Sequence, residues 1–273
     1  MIRLHAVKAL FEKECVQLRW MAVLSFCLMG LTPLFGSLLY WLDRPNRSRP
    51  WGDWSLHAEN IFTRGEGSTF VYLGIVLALI LGVRVFANDR ADQSNLFLAS
   101  LPVSKSEIAL AKYLAGTAVI QGIAFVHILF FTVMPLFLPA YYSLTGAVCW
   151  FLLAGGLLQL VFSIGFLAGS ISHRRLGAYE TAFLLLLLPS ILSKMTEPYS
   201  PVFSTGMAVF SPIHAALELS GLVERHAGLS VMVFFLCAGV LGLLSALAIE
   251  RGWPQGTGSR RLLSAGSKRE GDR

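Results

Sequence analysis

The sequence predicts an all-α polytopic membrane protein. It should have about six transmembrane helices, an N-terminal amphipathic interfacial helix, and a short helix on the cytoplasmic side between the second and third spans. Three observations carry that expectation. Of 273 residues, 55% are hydrophobic and 14% charged, whereas soluble domains hold roughly 25% charged residues. The hydrophobic residues come in long uncharged blocks that a water-facing fold could not hide. If the blocks alternate across a bilayer, sixteen of the 22 Lys and Arg fall on one side. By the positive-inside rule that side is the cytoplasm, and it holds both termini.

The elements follow in order. Residues 2–19 place Leu4, Val7, Phe11, Cys15 and Leu18 at helical spacing, with Arg3, Lys8, Glu12, Lys13 and Arg19 between them. A helix of that pattern is expected to lie flat at the cytoplasmic interface. Residues 20–42 carry no charge; at about 1.5 Å per residue they span a hydrocarbon core of ~30 Å. This run is too long for a signal-peptide core and no small-residue cleavage site follows it, so it is expected to remain as the first span. The other spans are expected at 68–86, 108–138, 145–170, 179–192 and 229–249, within a single transmembrane domain over 1–250. The tail, 251–273, is rich in Gly, Ser and Arg. It is expected to be a disordered basic cytoplasmic segment that holds to anionic lipid heads.

The stretch "NDRADQSNLFLASLPVSKSEIALAKYLAG", 88–116, stands apart because it puts apolar residues on the water side. Asp89 and Asp92 suit a helix N-terminus by its dipole, and the residue before Pro102 is pushed out of helical geometry. Ser104 and Glu107 then form an S-x-x-E capping box ahead of the third span. Two readings stand side by side: a loop resting on the membrane surface, and a docking element for a cytoplasmic partner.

From Asp89 to Lys112 the pattern is an acid, a small polar pair, a Leu-like run and "LPVSKSEIALAK". It resembles the cytoplasmic loop of permease subunits of ABC type-2 transporters, although members often have Glu and Gly-Thr where this chain has Asp89 and Gln93-Ser94. The resemblance implies a coupling helix that fits a groove on a separate ATPase subunit. It assigns Asp89, Ser94, Leu96, Phe97 and Leu98 to that helix and Pro102, Ser104, Lys105 and Glu107 to its turn. It also implies a second permease copy or a homologue as partner, a bacterial inner membrane, and export as the direction.

No G-x-x-x-x-G-K-[ST] occurs, and neither do HExxH, GxSxG or paired-Cys motifs, so this chain is not expected to be an enzyme. ATP and Mg would then be bound by the partner ATPase, with no cofactor here. The four cysteines read as buried hydrophobes and no metal site is expected. The net charge of +6 comes without an aromatic platform, so nucleic acid is not expected as a partner, whereas membrane lipids are.

Gln121, His127 and Gln159 form a candidate intramembrane polar site. The two glutamines read first as interhelical hydrogen-bond partners, and His127 is the better candidate for contact with substrate or proton. Gly155-Gly156 and Gly165 with Gly169 permit close helix approach. "FSPIHAALELSG" reads as a short outer helix capped by Ser211, with Gly221 beyond its end. Two alternatives to a permease are a secondary transporter and a non-transporting membrane subunit that transmits force.

Overall fold

The computed structural model describes residues 3–43, 67–91, 103–133, 144–172, 174–200, 211–213 and 219–252. They form six α-helices: α1 Leu4–Asp43, α2 Gly67–Ala91, α3 Lys105–Val133, α4 Leu144–Ile171, α5 Arg175–Thr196 and α6 Leu219–Gly252. Each expected span falls on one helix in sequence order, although residues 134–138 of the third lie outside the described residues. Among the described residues, four segments are long and apolar enough to cross a membrane: Lys105–His127, Val148–Ile171, Leu176–Thr196 and Gly228–Glu250. Phe70–Phe86 is a shorter apolar segment. The fifth span, expected over 179–192, lies within α5, which at 22 residues is the shortest of the six described helices and still provides about 33 Å of rise.

Helix α4 is the axis of the bundle. It packs against α6, α2, α3 and α5, while α1 packs mainly on α3. In the apolar segment of α4, 89% of residues are buried inside the protein, compared with 17% in α5 and 22% in α6. An apolar helix that leaves most of its surface uncovered needs lipid or another apolar protein surface around it. Leu153, Leu157, Val161, Phe162 and Phe166 of α4 form the centre of the core with Phe70, Ala78 and Leu81 of α2.

Helices α2 and α4 meet backbone to backbone. A Cβ on Gly82 would lie 2.4 Å from the Phe162 carbonyl oxygen and 2.8 Å from the Phe166 nitrogen, and one on Gly165 would lie 2.7 Å from the Leu79 oxygen. Only glycine permits that approach, which gains dispersion contact where lipid leaves no hydrophobic drive between helices. Gly165 and Gly169 thus pack within the chain, against Gly82 and Val83.

Two expectations need correction. Residues 4–19 are not a separate interfacial helix, because they run without interruption into the first span as one helix of 40 residues. The physical reason is local: the junction "QLRWMAVL" holds no Gly or Pro to break it. Its apolar stripe faces protein. Val7 and Leu10 pack with Ile108 and Ala111 of α3, and Leu18 joins the main core, whereas Leu4, expected on the stripe, is exposed. At the opposite end of the bundle, Gly221 does not close a short helix. It lies inside α6, which begins at Leu219, and a helix interior tolerates one glycine at about 1 kcal/mol. Ser211 and Pro212 are buried; the Ser211 hydroxyl bonds to Ser190 of α5, one residue past the in-helix Pro189.

Candidate functional site

The start of α3 is held by a reciprocal cap. The Glu107 N–H donates to Ser104 Oγ (3.2 Å) and the Ser104 N–H donates to Glu107 Oε2 (2.8 Å). The other carboxylate oxygen, Oε1, accepts the main-chain N–H of Arg3 (2.7 Å), with Arg3 Nε at 3.5 Å. One buried carboxylate therefore caps the N-termini of two helices, α3 and α1. Each cap satisfies an N–H that the helix itself leaves without a partner. The Arg3 guanidinium is mostly exposed, so the ion pair adds less than the N–H bonds.

One helical turn further along α3 is Lys112, whose side chain is fully buried (0% exposed). Its ammonium lies 2.9 Å from Glu14 Oε2 of α1 and donates to the Val85 carbonyl oxygen of α2 at 3.2 Å. It also sits 5.8 Å from the centre of the Phe86 ring. A cation close to the C-terminal turns of α2 is favoured by that helix's dipole. Three helices thus converge on one charge. Near the same end, Ser106 at the start of α3 bonds to the Glu250 carboxylate at the end of α6.

Both roots of the 92–102 segment are anchored in this way: α2 through Val85, six residues before its end at Ala91, and α3 through its cap. Among the residues assigned to coupling, Ser104 and Lys105 are exposed and Glu107 is buried. Asp89, expected at the N-terminus of a separate short helix, lies instead in the last turns of α2, which continues to Ala91; its side chain is outside the described residues. Ser94, Leu96, Phe97, Leu98 and Pro102 are likewise outside them.

The interior polar residues make a separate, neutral arrangement. Gln121 of α3 donates to the Gly155 carbonyl (3.2 Å) and to Gln159 Oε1 of α4 (3.3 Å). Gln159 Nε2 donates to Thr117 Oγ1 (2.8 Å) and to the Tyr113 hydroxyl (3.2 Å). Tyr113 donates in turn to the Ala238 carbonyl of α6 (3.1 Å), and its hydroxyl lies 2.9 Å from Ser163 Oγ. The two glutamines are therefore joined, and with Tyr113 they link α3, α4 and α6. His127 is elsewhere, buried among aromatics, its ring centroid 4.1 Å from Phe70 and 6.1 Å from Phe151.

Sequence reasoning missed Glu14, Lys112, Tyr113 and Thr117. A signal for the first two was present. Glu14 occupies an apolar-stripe position between Leu10 and Leu18, and Lys112 follows Ile108 by one turn on a buried face, where an unpaired charge would be very costly.

The geometry defines a polytopic helical membrane protein in which the two flanks of the 92–102 segment are braced by the charged end of the bundle. The chain belongs to the ABC-2 transporter family: the model described as ABC-2 family transporter protein matches residues 60–249. That match takes in α2 to α6 and the whole 89–112 stretch, and it makes the chain a membrane-embedded transport component, a permease. A comparison with curated proteins finds no match.

Proposed function

We propose that the chain is the permease subunit of an ABC exporter. It would move its substrate across the membrane at the expense of ATP hydrolysed by a separate cassette ATPase that docks on residues 89–107. The observation that carries this reading is the double bracing of that loop: a segment that must transmit force needs stiff roots, and here α1, α2 and α3 are tied together beside it by Glu107 and Lys112. Family membership supports an ATPase partner. Closure of the ATPases on ATP would push the loop and tilt the helices as rigid elements. The charged end would face the cytoplasm of a bacterial inner membrane, in keeping with the positive-inside balance. A second permease copy or homologue would complete the path. The apolar faces left open on α1 (Trp20, Val23, Leu24) and α5 (Phe183, Leu184, Leu188) are available for it. A secondary transporter would need helices broken near the midplane; α3, α4 and α6 run unbroken.

The test is purification of the full-length protein from its native membrane in mild detergent. On this reading a cassette ATPase should accompany it in about a one-to-one ratio. Replacing Phe97 and Leu98 with Asp should release that ATPase without unfolding the bundle, because both lie outside the expected spans. Normal retention and stimulation of the ATPase by the double variant would refute the docking assignment.

A further inference from the structure

We propose that Glu14 and Lys112 form a positioning pair that makes α1 move as one body with the roots of the coupling loop. The inference rests on the functional reading above and extends it to a helix that lies outside the family match.

The argument begins with what the pair costs. Both side chains are taken out of water, Lys112 at 0% exposed and Glu14 at 4%. Desolvating two charges consumes most of their attraction, and well-packed apolar residues of similar size would hold helices together as well or better. Packing stability therefore does not account for charges at these two positions. What an ion pair supplies, and an apolar contact does not, is a fixed register. The Lys112 ammonium is shared between the Glu14 carboxylate on α1 and the Val85 carbonyl on α2. Sliding α1 by one turn would carry the Glu14 carboxylate away from the buried Lys112 ammonium, and sliding α2 would take away the carbonyl that shares it.

The second part is geometric. Helix α1 is tied to α3 at two separate points, through the Arg3 N–H on Glu107 and through Glu14 on Lys112. One attachment would act as a pivot. Two attachments separated by eleven residues of α1, about 16 Å along its axis, fix its tilt relative to α3. Displacement of the loop roots is then delivered to the whole of Leu4–Asp43, a single unbroken helix. The direction of the pair also matters: a carboxylate at 112 could not donate to the Val85 carbonyl, so exchanging the two charges should not restore the contact.

The test uses the full-length chain with its co-purified ATPase and the variant Glu14→Leu/Lys112→Met. Spin labels are placed at Val16 on α1 and Leu114 on α3, both exposed, after replacing the four native cysteines with Ala. With the native pair, the label distance should stay fixed when ATP and vanadate are added. In the variant it should shift or broaden, and stimulation of ATP hydrolysis by the permease should fall about tenfold, within the usual range of coupling between sites. Thermal stability and ATPase binding should be unchanged. Unchanged stimulation together with an unchanged distance would overturn the proposal. Glu14→Asp, which retracts the carboxylate by one methylene, should give an intermediate loss and covers the case in which the double variant fails to fold. If the native chain brings no ATPase, the functional reading fails; the pair is then judged without nucleotide, by a label distance that is narrow in the native protein and broad in the variant.

Discussion

The first turns of α3 and its middle are held by different chemistry. Over its first eight residues, from Lys105 to Lys112, buried charge does the holding: Glu107 caps two helices and Lys112 ties three. From Tyr113 to Gln121 the partners are neutral amides, hydroxyls and carbonyls on α4 and α6. The difference follows from dielectric. An ion deep in hydrocarbon is expensive, so a helix entering the bilayer can use charges only near its mouth and must use neutral hydrogen bonds inside, where each contributes about 0.6 kcal/mol on average. Strong directional ties therefore sit beside the loop where force would arrive, and weaker ones hold the bundle behind it.

The largest effect should come from breaking the charged end on one side only. Lys112→Met leaves the buried Glu14 carboxylate with the more distant Lys13 ammonium, 3.7 Å away, and should destabilise the protein by about 3 kcal/mol, the low end of the cost of breaking a buried pair, seen as a lower midpoint of thermal unfolding in detergent. If the single variant is no less stable than Glu14→Leu/Lys112→Met, the charge is not buried in the way the structure shows. Next comes the backbone contact behind it. Gly82→Ala drives a methyl group into the Phe162 carbonyl and must separate α2 from α4, at a cost of about 1–3 kcal/mol. Gly239→Ala, where a Cβ would meet nothing within 4 Å, is the control and should be neutral or slightly stabilising in the same assay.

The neutral interior should be softer. Gln159→Leu removes the partner of Gln121, Thr117 and one Tyr113 contact at once, and should cost about 1–2 kcal/mol as the sum of three membrane hydrogen bonds. Because the network lies behind the loop, stimulation of a bound ATPase should change much less than it does on loss of the Glu14–Lys112 pair. Equal losses in both would erase the distinction between the two regions.

How much of this was legible in the sequence depends on the range over which each feature is determined. Uncharged apolar blocks gave the helices in order, because the bilayer thickness sets their length. The capping box at Ser104 was legible because its two members are three residues apart and act on each other's N–H. That Gln121 and Gln159 would each need a partner followed from their apolar setting, although not that the partners would include each other. The Glu14–Lys112 pair was only half legible: Glu14 on the apolar stripe of α1 and Lys112 one turn after Ile108 each signal a charge in need of a partner, but they are almost a hundred residues apart in sequence and nothing local names one as the partner of the other. The same oversight explains the misplaced interfacial helix. Once Glu14 has a buried partner on α3, the stripe from Val7 to Leu18 is a protein-facing surface and no membrane-facing one is required.

The smallest effect separates the two functions of Glu107. Ser104→Ala removes the hydroxyl that accepts the Glu107 N–H, yet leaves the Glu107 carboxylate bonded to the main-chain N–H groups of both residue 104 and Arg3. The loss should be about 1 kcal/mol, the usual cost of an N-cap hydroxyl, and should stay in the first turn of α3. Hydrogen exchange should accelerate at residues 105–107 and nowhere in α1. Glu107→Ala removes both caps together, so exchange should also rise in the first turn of α1. If Ser104→Ala loosens α1 as much as Glu107→Ala does, the two helix starts are one cooperative unit held by the box itself. If only Glu107→Ala loosens α1, the carboxylate is the joint between them, and α1 is coupled to the root of the loop through that single side chain as well as through Lys112.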